Sequence, residues 1–369
     1  MKTFGLNATR RASSRRLFAL GAAGVLCSAL AACSAAGSSA GSDGGGSGSD
    51  FQMVTAVRSL SNPYEAQWVQ GAKWYAESLH LPLKTIVYNG DSQKELSDIN
   101  AVLATGKKVI MDINVNASAD TQAIARAVTN AGGYVVTEWN SPSSLHPWDV
   151  SDHWVAHVSY NGVPGGESAA KILFKALGGN GGIIALQGIA DNTPAIQRKA
   201  GLEKALAQAP GIKLLSSQIA NWDQTTAYND TKTLLTKYGS QVKGIWAAND
   251  DMAVGAERAA DQANRKDIEI VSASDATPQV LKDIASGGQI LATYSTDARY
   301  DGAIGLAIAY QAATGKIDVS KLSHSKREFY IKEFPVTAAN VKKFLATPSK
   351  SVFLQGLQDP FARNVGPIS

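Results

Sequence analysis

At 369 residues the chain is long enough for two domains of ordinary size, and 44% hydrophobic with 18% charged residues fits a folded globular protein. The formal charge of +4 belongs to the amino terminus: five of the 35 basic residues (Lys2, Arg10, Arg11, Arg15 and Arg16) fall in the first 33 positions, which hold no acid, leaving 30 bases against 31 acids beyond them. A body so close to neutral gives no footprint for nucleic acid, and with both cysteines, Cys27 and Cys33, in that same leader it has no disulfide or thiol chemistry.

Residues 1–33 read as an export signal. Ser14-Arg15-Arg16-Leu17-Phe18 resembles a twin-arginine motif, although Arg10-Arg11 shows that the leader is Arg-rich throughout, so Sec export stays open. The apolar stretch 17–32 is too short for a comfortable membrane span. It ends in Leu30-Ala31-Ala32-Cys33, which resembles a bacterial lipobox and implies Cys33 as the lipidated first residue of the mature chain. The alternative is a plain secretory signal cut near Ala32. Residues 34–50 are almost entirely Ser, Gly and Ala, a composition that cannot bury a core and behaves as a flexible tether.

From Phe51 one rhythm takes over. Apolar strand candidates at 53–58, 83–88, 108–113 and 134–137 alternate with helical patterns at 64–79, 93–104 and 120–131. A second series places strands at 154–159, 182–187, 212–219, 243–248, 268–273 and 289–294, with helices at 165–177, 194–208, 224–237, 251–263 and 277–285. A helix at 300–313 and a strand at 326–333 follow, then a helical 338–345 and a Pro-containing tail of unreadable role. Strands alternating with helices of this length predict βαβ units and parallel sheets. Ten or more strands exceed one tidy sheet, so two α/β lobes are expected.

The run Gly178-Gly179-Asn180-Gly181-Gly182 follows a helix and precedes a strand, the reverse of a phosphate loop, so no nucleotide cofactor is expected. What recurs is an amide or carboxylate at nearly every strand end. The first strand runs into Asn62-Pro63-Tyr64-Glu65, the third into Asn114, and the fourth into Trp139-Asn140. In the second series the ends carry Gln187 through Asn192, Asn221-Trp222-Asp223, Asn249-Asp250-Asp251, Ser274-Asp275 and Ser295-Thr296-Asp297. Many such residues are helix caps and nothing more. Repeated at so many strand ends, and interleaved with Tyr and Trp, they suit a polyhydroxy ligand: amides and carboxylates bond pairs of hydroxyls, and aromatic faces cover C–H surface.

Asn62-Pro63-Tyr64, Leu186-Gln187-Gly188, Arg198 with Gly201-Leu202, Ala248-Asn249-Asp250-Asp251-Met252-Ala253 and Asp275-Ala276-Thr277-Pro278 occur in order. Over 53–335 their spacing resembles that of the ribose-type periplasmic sugar-binding proteins of ABC importers. The resemblance implies two Rossmann-like lobes with parallel sheets, joined by a three-crossing hinge and closing over one monosaccharide. It divides the chain into a first lobe of 51–157 plus 297–331 and a second of 158–296 plus 332–369. It also implies ligand contacts at Asn62, Tyr64 and Asn114 in the first lobe and at Arg198, Trp222, Asn249 and Asp275 in the second. Departures from the family pattern add Glu65, Trp139, Asn140 and Thr296 to the candidates, and Asp297 joins them as a strand-end acid. Ribose itself is doubtful on these departures, while another pentose, a hexose or a polyol stays open.

A last cluster is His146, Asp149, Asp152, His153 and His157. Its spacing matches no metal-ligand pattern, so no metal is expected, and His157 is expected nearest the ligand. The chain thus reads as a non-enzymatic, monomeric, lipid-anchored solute-binding protein. It would work at the outer face of the cytoplasmic membrane or in the periplasm, with ABC permease subunits as partners and no nucleic acid. Alternatives are a binding protein that reports its sugar to a membrane sensor, and an extracellular glycoside-acting enzyme using Asp250 and Asp275.

Overall fold

A computed structural model of the chain describes residues 50–368. The leader, with its candidate lipidation residue Cys33, and nearly all of the 34–50 tether lie outside the described residues. In chain order the first elements are β1 (Phe51–Val57), α1 (Pro63–Ser78), β2 (Leu83–Val87), α2 (Ser92–Leu103), β3 (Lys108–Asn114), α3 (Thr121–Asn130), β4 (Tyr134–Glu138) and β5 (Trp154–Ser159). The second series is α4 (Gly162–Ala176), β6 (Gly181–Gln187), α5 (Thr193–Leu206), β7 (Ile212–Ile219), α6 (Gln224–Tyr238), β8 (Val242–Ala247), α7 (Asp250–Gln262), β9 (Glu269–Ser272), α8 (Pro278–Ser286) and β10 (Ala292–Ser295). The remainder is α9 (Ala298–Ala313), α10 (His324–Arg327), β11 (Glu328–Ile331), β12 (Phe334–Thr337), α11 (Lys350–Gln355) and β13 (Asn364–Pro367). No helix among the described residues is long and apolar enough to cross a membrane.

The first lobe is a seven-stranded sheet in the order β13-β11-β5-β4-β3-β1-β2, parallel except for β13. The second is a four-stranded parallel sheet, β7-β6-β8-β9, flanked by the antiparallel pair β10-β12. Both faces of the first sheet are covered, which is why its strands read as unbroken apolar runs. Ile110 of β3 faces the core with α1 and α9, whereas Val109, Met111 and Ile113 face the core with α2 and α3. In each sheet the chain reverses its direction of travel once, between β1 and β3 and between β6 and β8. Such reversals open a crevice at the carboxyl ends of the strands, where ligands bind in open α/β sheets.

Helix starts at these crevices follow local chemistry. Asn62 accepts the Tyr64 N–H at 2.9 Å to cap α1, and Pro63 fills the first helical position. Asn249 accepts the Met252 N–H at 3.1 Å to cap α7. Helices α4 and α5 touch backbone to backbone: a Cβ on Gly166 would lie 2.2 Å from the Arg198 carbonyl oxygen. That approach fixes the turn of α5 that carries Arg198.

Two expectations need correction. Residues 338–345 form a single 3-10 turn at Val341–Lys343 instead of a helix. Asn340 accepts the Thr337 N–H at 2.8 Å and donates to the Pro335 carbonyl at 2.7 Å, closing a turn directly after β12. The tail 332–369 also does not stay with the second lobe. β12 pairs with β10 there, but Phe353 and Leu357 then bury in the first lobe's core and β13 joins β11. Beyond the crossings after β5, β10 and β11, the tail therefore adds a fourth passage between lobes.

Candidate functional site

The two crevices face each other across one cleft enclosing about 540 Å³ of open space, solvent included. Ten of the candidate residues line it: Asn62, Tyr64, Glu65, Asn114, Trp139 and Asn140 from the first lobe, Arg198, Trp222, Asn249 and Asp275 from the second. Arg58, Tyr88, Val115, Asn116, Asn192 and Pro194 complete the lining. Arg58, Tyr88, Val115 and Asn116 stand just beyond the carboxyl ends of β1, β2 and β3, while Asn192 and Pro194 lie at the start of α5; Asn116 sits two residues from Asn114, and Asn192 closes the polar run 187–192 already singled out.

Three candidates lie elsewhere. His157 points into the first lobe's sheet, where its Nδ1 meets the Thr137 hydroxyl at 2.9 Å, and burial pushes its pKa down to about 4. Thr296 is fully buried, and its carbonyl accepts the Tyr160 hydroxyl at 2.8 Å. Asp297 does not line the cleft and accepts Arg363 Nη1 at 2.9 Å. The histidines near 150 do not converge either: His146 stacks on Trp148, whose indole also carries His324, and His153 stacks on Tyr134.

Arg198 is the centre of the cleft. Its side chain is 3% exposed, and its guanidinium lies over the Trp139 ring at 5.3 Å and over the Trp222 ring at 5.5 Å. Trp139 belongs to the first lobe and Trp222 to the second, so the cation spans the cleft between two indole faces. Nη1 donates to the Ala248 carbonyl at 3.0 Å, while Nε has no partner among the described residues. Nearby, Asp275 has a buried Oδ2 without a partner; burial raises its pKa and the Arg198 charge opposes that rise. A buried donor and a buried acceptor left open in one cleft are the groups a hydroxylated ligand would satisfy.

Other polar groups are already committed. Glu65 accepts the N–H groups of Arg58 at 3.1 Å and Ser59 at 2.6 Å and the Asn114 amide at 3.2 Å, which holds the turn after β1. Burial nevertheless pushes its pKa up to about 7. Asp250 is fully buried: Oδ2 accepts the Thr277 N–H and hydroxyl at 2.6 and 2.9 Å, and Oδ1 accepts the Thr293 hydroxyl at 2.6 Å. It therefore ties α7 to β10 and α8, with both of its oxygens held by the residues it anchors.

The lobes also bond to each other. Asn192 donates to the Asn116 carbonyl at 3.0 Å, the Thr193 N–H to Asn140 Oδ1 at 3.1 Å, and the hydroxyls of Ser118 and Thr193 lie 3.3 Å apart. Trp139, Trp222 and Asp275 all have positive φ, at 67°, 60° and 107°. Backbone strain of this kind in non-glycine residues costs about 1–3 kcal/mol each and gathers at functional sites.

The sequence profile of the periplasmic binding protein domain matches residues 53–317. Over 261 residues the chain is 31% identical to the ribose import binding protein RbsB of Haemophilus influenzae, covering 71% of this chain and 85% of that protein. The chain belongs to the type I periplasmic sugar-binding protein family of ABC importers. A second member similar to it is the xylitol-binding protein of Mycolicibacterium smegmatis, 27% identical over 301 residues that span 82% of this chain and 81% of that one. Among solved structures, a twin-arginine translocation pathway signal protein from Burkholderia phytofirmans superposes with a TM-score of 0.83 at 39% identity, covering 86% of this chain and 98% of that one. Members of this family are the substrate-binding proteins of transporters, and the two opposed crevices described above are the architecture by which such a protein holds a solute. The tail from 318 onward, including the fourth passage between lobes, extends beyond the family profile.

Proposed function

We propose that this protein is exported, anchored by lipid on Cys33 through the 34–50 tether, and captures one neutral monosaccharide or polyol by lobe closure for delivery to an ABC permease as a monomer. The observation that carries this reading is a cleft in which the Arg198 guanidinium lies between the indoles of opposite lobes, with open hydrogen-bonding atoms on Arg198 and on Asp275, which lines the same cleft. Opposite charges in the same cleft favour a neutral ligand. Asn62, Tyr64, Asn114, Trp139 and Asn140 would bind it from the first lobe, and Arg198, Trp222, Asn249 and Asp275 from the second. Relatives named for ribose and xylitol support a small polyhydroxy compound as the ligand class. The structure similar at 39% identity is named for the twin-arginine pathway, which supports that export route over Sec.

Isothermal titration calorimetry against a panel of pentoses, hexoses and alditols tests the reading. At least one member is expected to bind, and Arg198→Ala should weaken that binding about 10- to 100-fold, as expected for losing a charged hydrogen bond. No binding across the panel would overturn the function; unchanged affinity in Arg198→Ala would overturn the site.

A further inference from the structure

Beneath the first lobe's side of the cleft lies a buried polar network that ligand contact alone does not explain. The Trp139 indole N–H donates to the Tyr64 hydroxyl at 2.9 Å, and that hydroxyl donates to Asp301 Oδ2 at 2.8 Å. The hydroxyl of Tyr160 meets both Asp301 Oδ1 and the Thr296 carbonyl, which share its one proton, and its ring packs on the Trp139 indole with centroids 4.9 Å apart. Asp301 is fully buried, and Tyr64, Trp139 and Tyr160 are 6%, 5% and 1% exposed. Asp112 and Glu138 are also buried, next to each other, and beyond that mutual contact their four carboxyl oxygens have no side-chain partner among the described residues.

The placement of Asp301 matters as much as its bonds. It stands in the first turn of α9, directly after the second crossing between lobes, and Tyr160 stands directly after β5 at the first crossing. Tyr64 opens α1 at the cleft. One carboxyl group therefore accepts from the wall that faces the ligand and from one hinge strand while riding on the helix that leaves another. The Trp139 indole, which meets Arg198 across the cleft, is held at its N–H by Tyr64 and on its ring by Tyr160. Both of those residues are in turn oriented by Asp301.

We infer that Asp301 is a positioning residue: by accepting the Tyr64 and Tyr160 hydroxyls it sets the tilt of Trp139 against Arg198, and so decides which hydroxylated ligands the cleft admits. It touches no ligand itself. The ligand half of this statement rests on the proposed sugar-binding function; the positioning half does not.

The full-length mature protein labelled with 5-fluorotryptophan separates the two halves. Trp139→Phe assigns the Trp139 fluorine resonance among the seven tryptophans. Asp301→Asn puts an amide NH2 where one of the two hydroxyls meets a carboxylate oxygen, so the Trp139 resonance should shift or split while Trp246, in the other lobe, stays in place. Tyr64→Phe and Tyr160→Phe, which keep the acid, should move the same resonance and serve as the readout should Asp301→Asn fail to fold. Calorimetry with D-ribose, D-allose and xylitol as probes should then show their relative affinities altered tenfold or more in Asp301→Asn. An unmoved Trp139 resonance overturns the positioning role. A uniform loss of all three affinities with a lowered Tm overturns the specificity role in favour of plain destabilisation. Absence of binding by the unsubstituted protein would defeat the sugar reading, and the specificity claim with it, while the fluorine spectra still decide the positioning claim.

Discussion

His157 shows how far a single residue can be read from sequence. It falls in Trp154–Ser159, a strand buried along its whole length, so the usual alternation of core-facing and outward-facing residues is absent. Nothing in the pattern separates a histidine lining the cleft from one bonded to Thr137 within the sheet. Its consequence is a pH dependence. The ring stays neutral in the fold, with its pKa pushed down to about 4 from the ordinary 6.5. The unfolded chain therefore takes up the proton first as pH falls. Stability is full above about 6.5, declines between 6.5 and about 4, and levels off below, a loss on the order of 3 kcal/mol from this residue. Denaturant melts from pH 7 to pH 4 should show that limb flattened in His157→Gln; an unchanged limb would place the acid sensitivity elsewhere. The ten lining residues were legible for the opposite reason. Asn62 and Asn249 cap helices at the two crevices, so one side chain fixes both the local fold and a position in the cleft. What sequence could not convey was commitment: Glu65 and Asp250 are acids at strand ends, but their oxygens are already taken by neighbouring N–H and hydroxyl groups.

At the level of elements, the central strands and helices were legible because parallel strands buried on both faces appear as apolar runs, each followed by a capped helix. The tail was not. Phe334–Thr337 and Asn364–Pro367 are four-residue edge strands, the second containing Gly and Pro, and neither carries a periodic signal. Their place is set by partners far away in sequence. The tail is nonetheless structural: Phe353 and Leu357 are 6% and 3% exposed in the first lobe's core. Truncation after residue 345 removes both, a loss of about 3–6 kcal/mol at 1.5–3 kcal/mol for each buried side chain. Calorimetry should register this as a clear fall in Tm; a truncated protein that melts with the intact one would show the tail to be dispensable.

For the whole molecule, the two lobes followed from counting strands and their crossings from the family resemblance, but the way the lobes meet followed from neither. The Ser118–Thr193 approach is one such meeting, with hydroxyl oxygens 3.3 Å apart on opposite lobes. The chain has no cysteine after Cys33, so the double variant Ser118→Cys/Thr193→Cys has a single pairing open to it in the mature body. Oxidised, it should hold the lobes together, slowing ligand entry and exit by orders of magnitude, with normal exchange restored on reduction. Stopped-flow tryptophan fluorescence reads both. Unaltered exchange in the oxidised form would mean that ligand passes without the lobes parting.

The edge strand β13 bears on synthesis as well as on shape. The sheet that Phe51 begins is finished by Asn364–Pro367, so the lobe whose first strand leaves the ribosome earliest is the last to be complete. The second lobe's four-stranded sheet and its covering helices all lie between those ends and are available sooner. A growing chain thus holds a finished carboxyl-side lobe while its amino-side lobe still lacks a strand, and the protein cannot be divided into two contiguous halves that each fold alone.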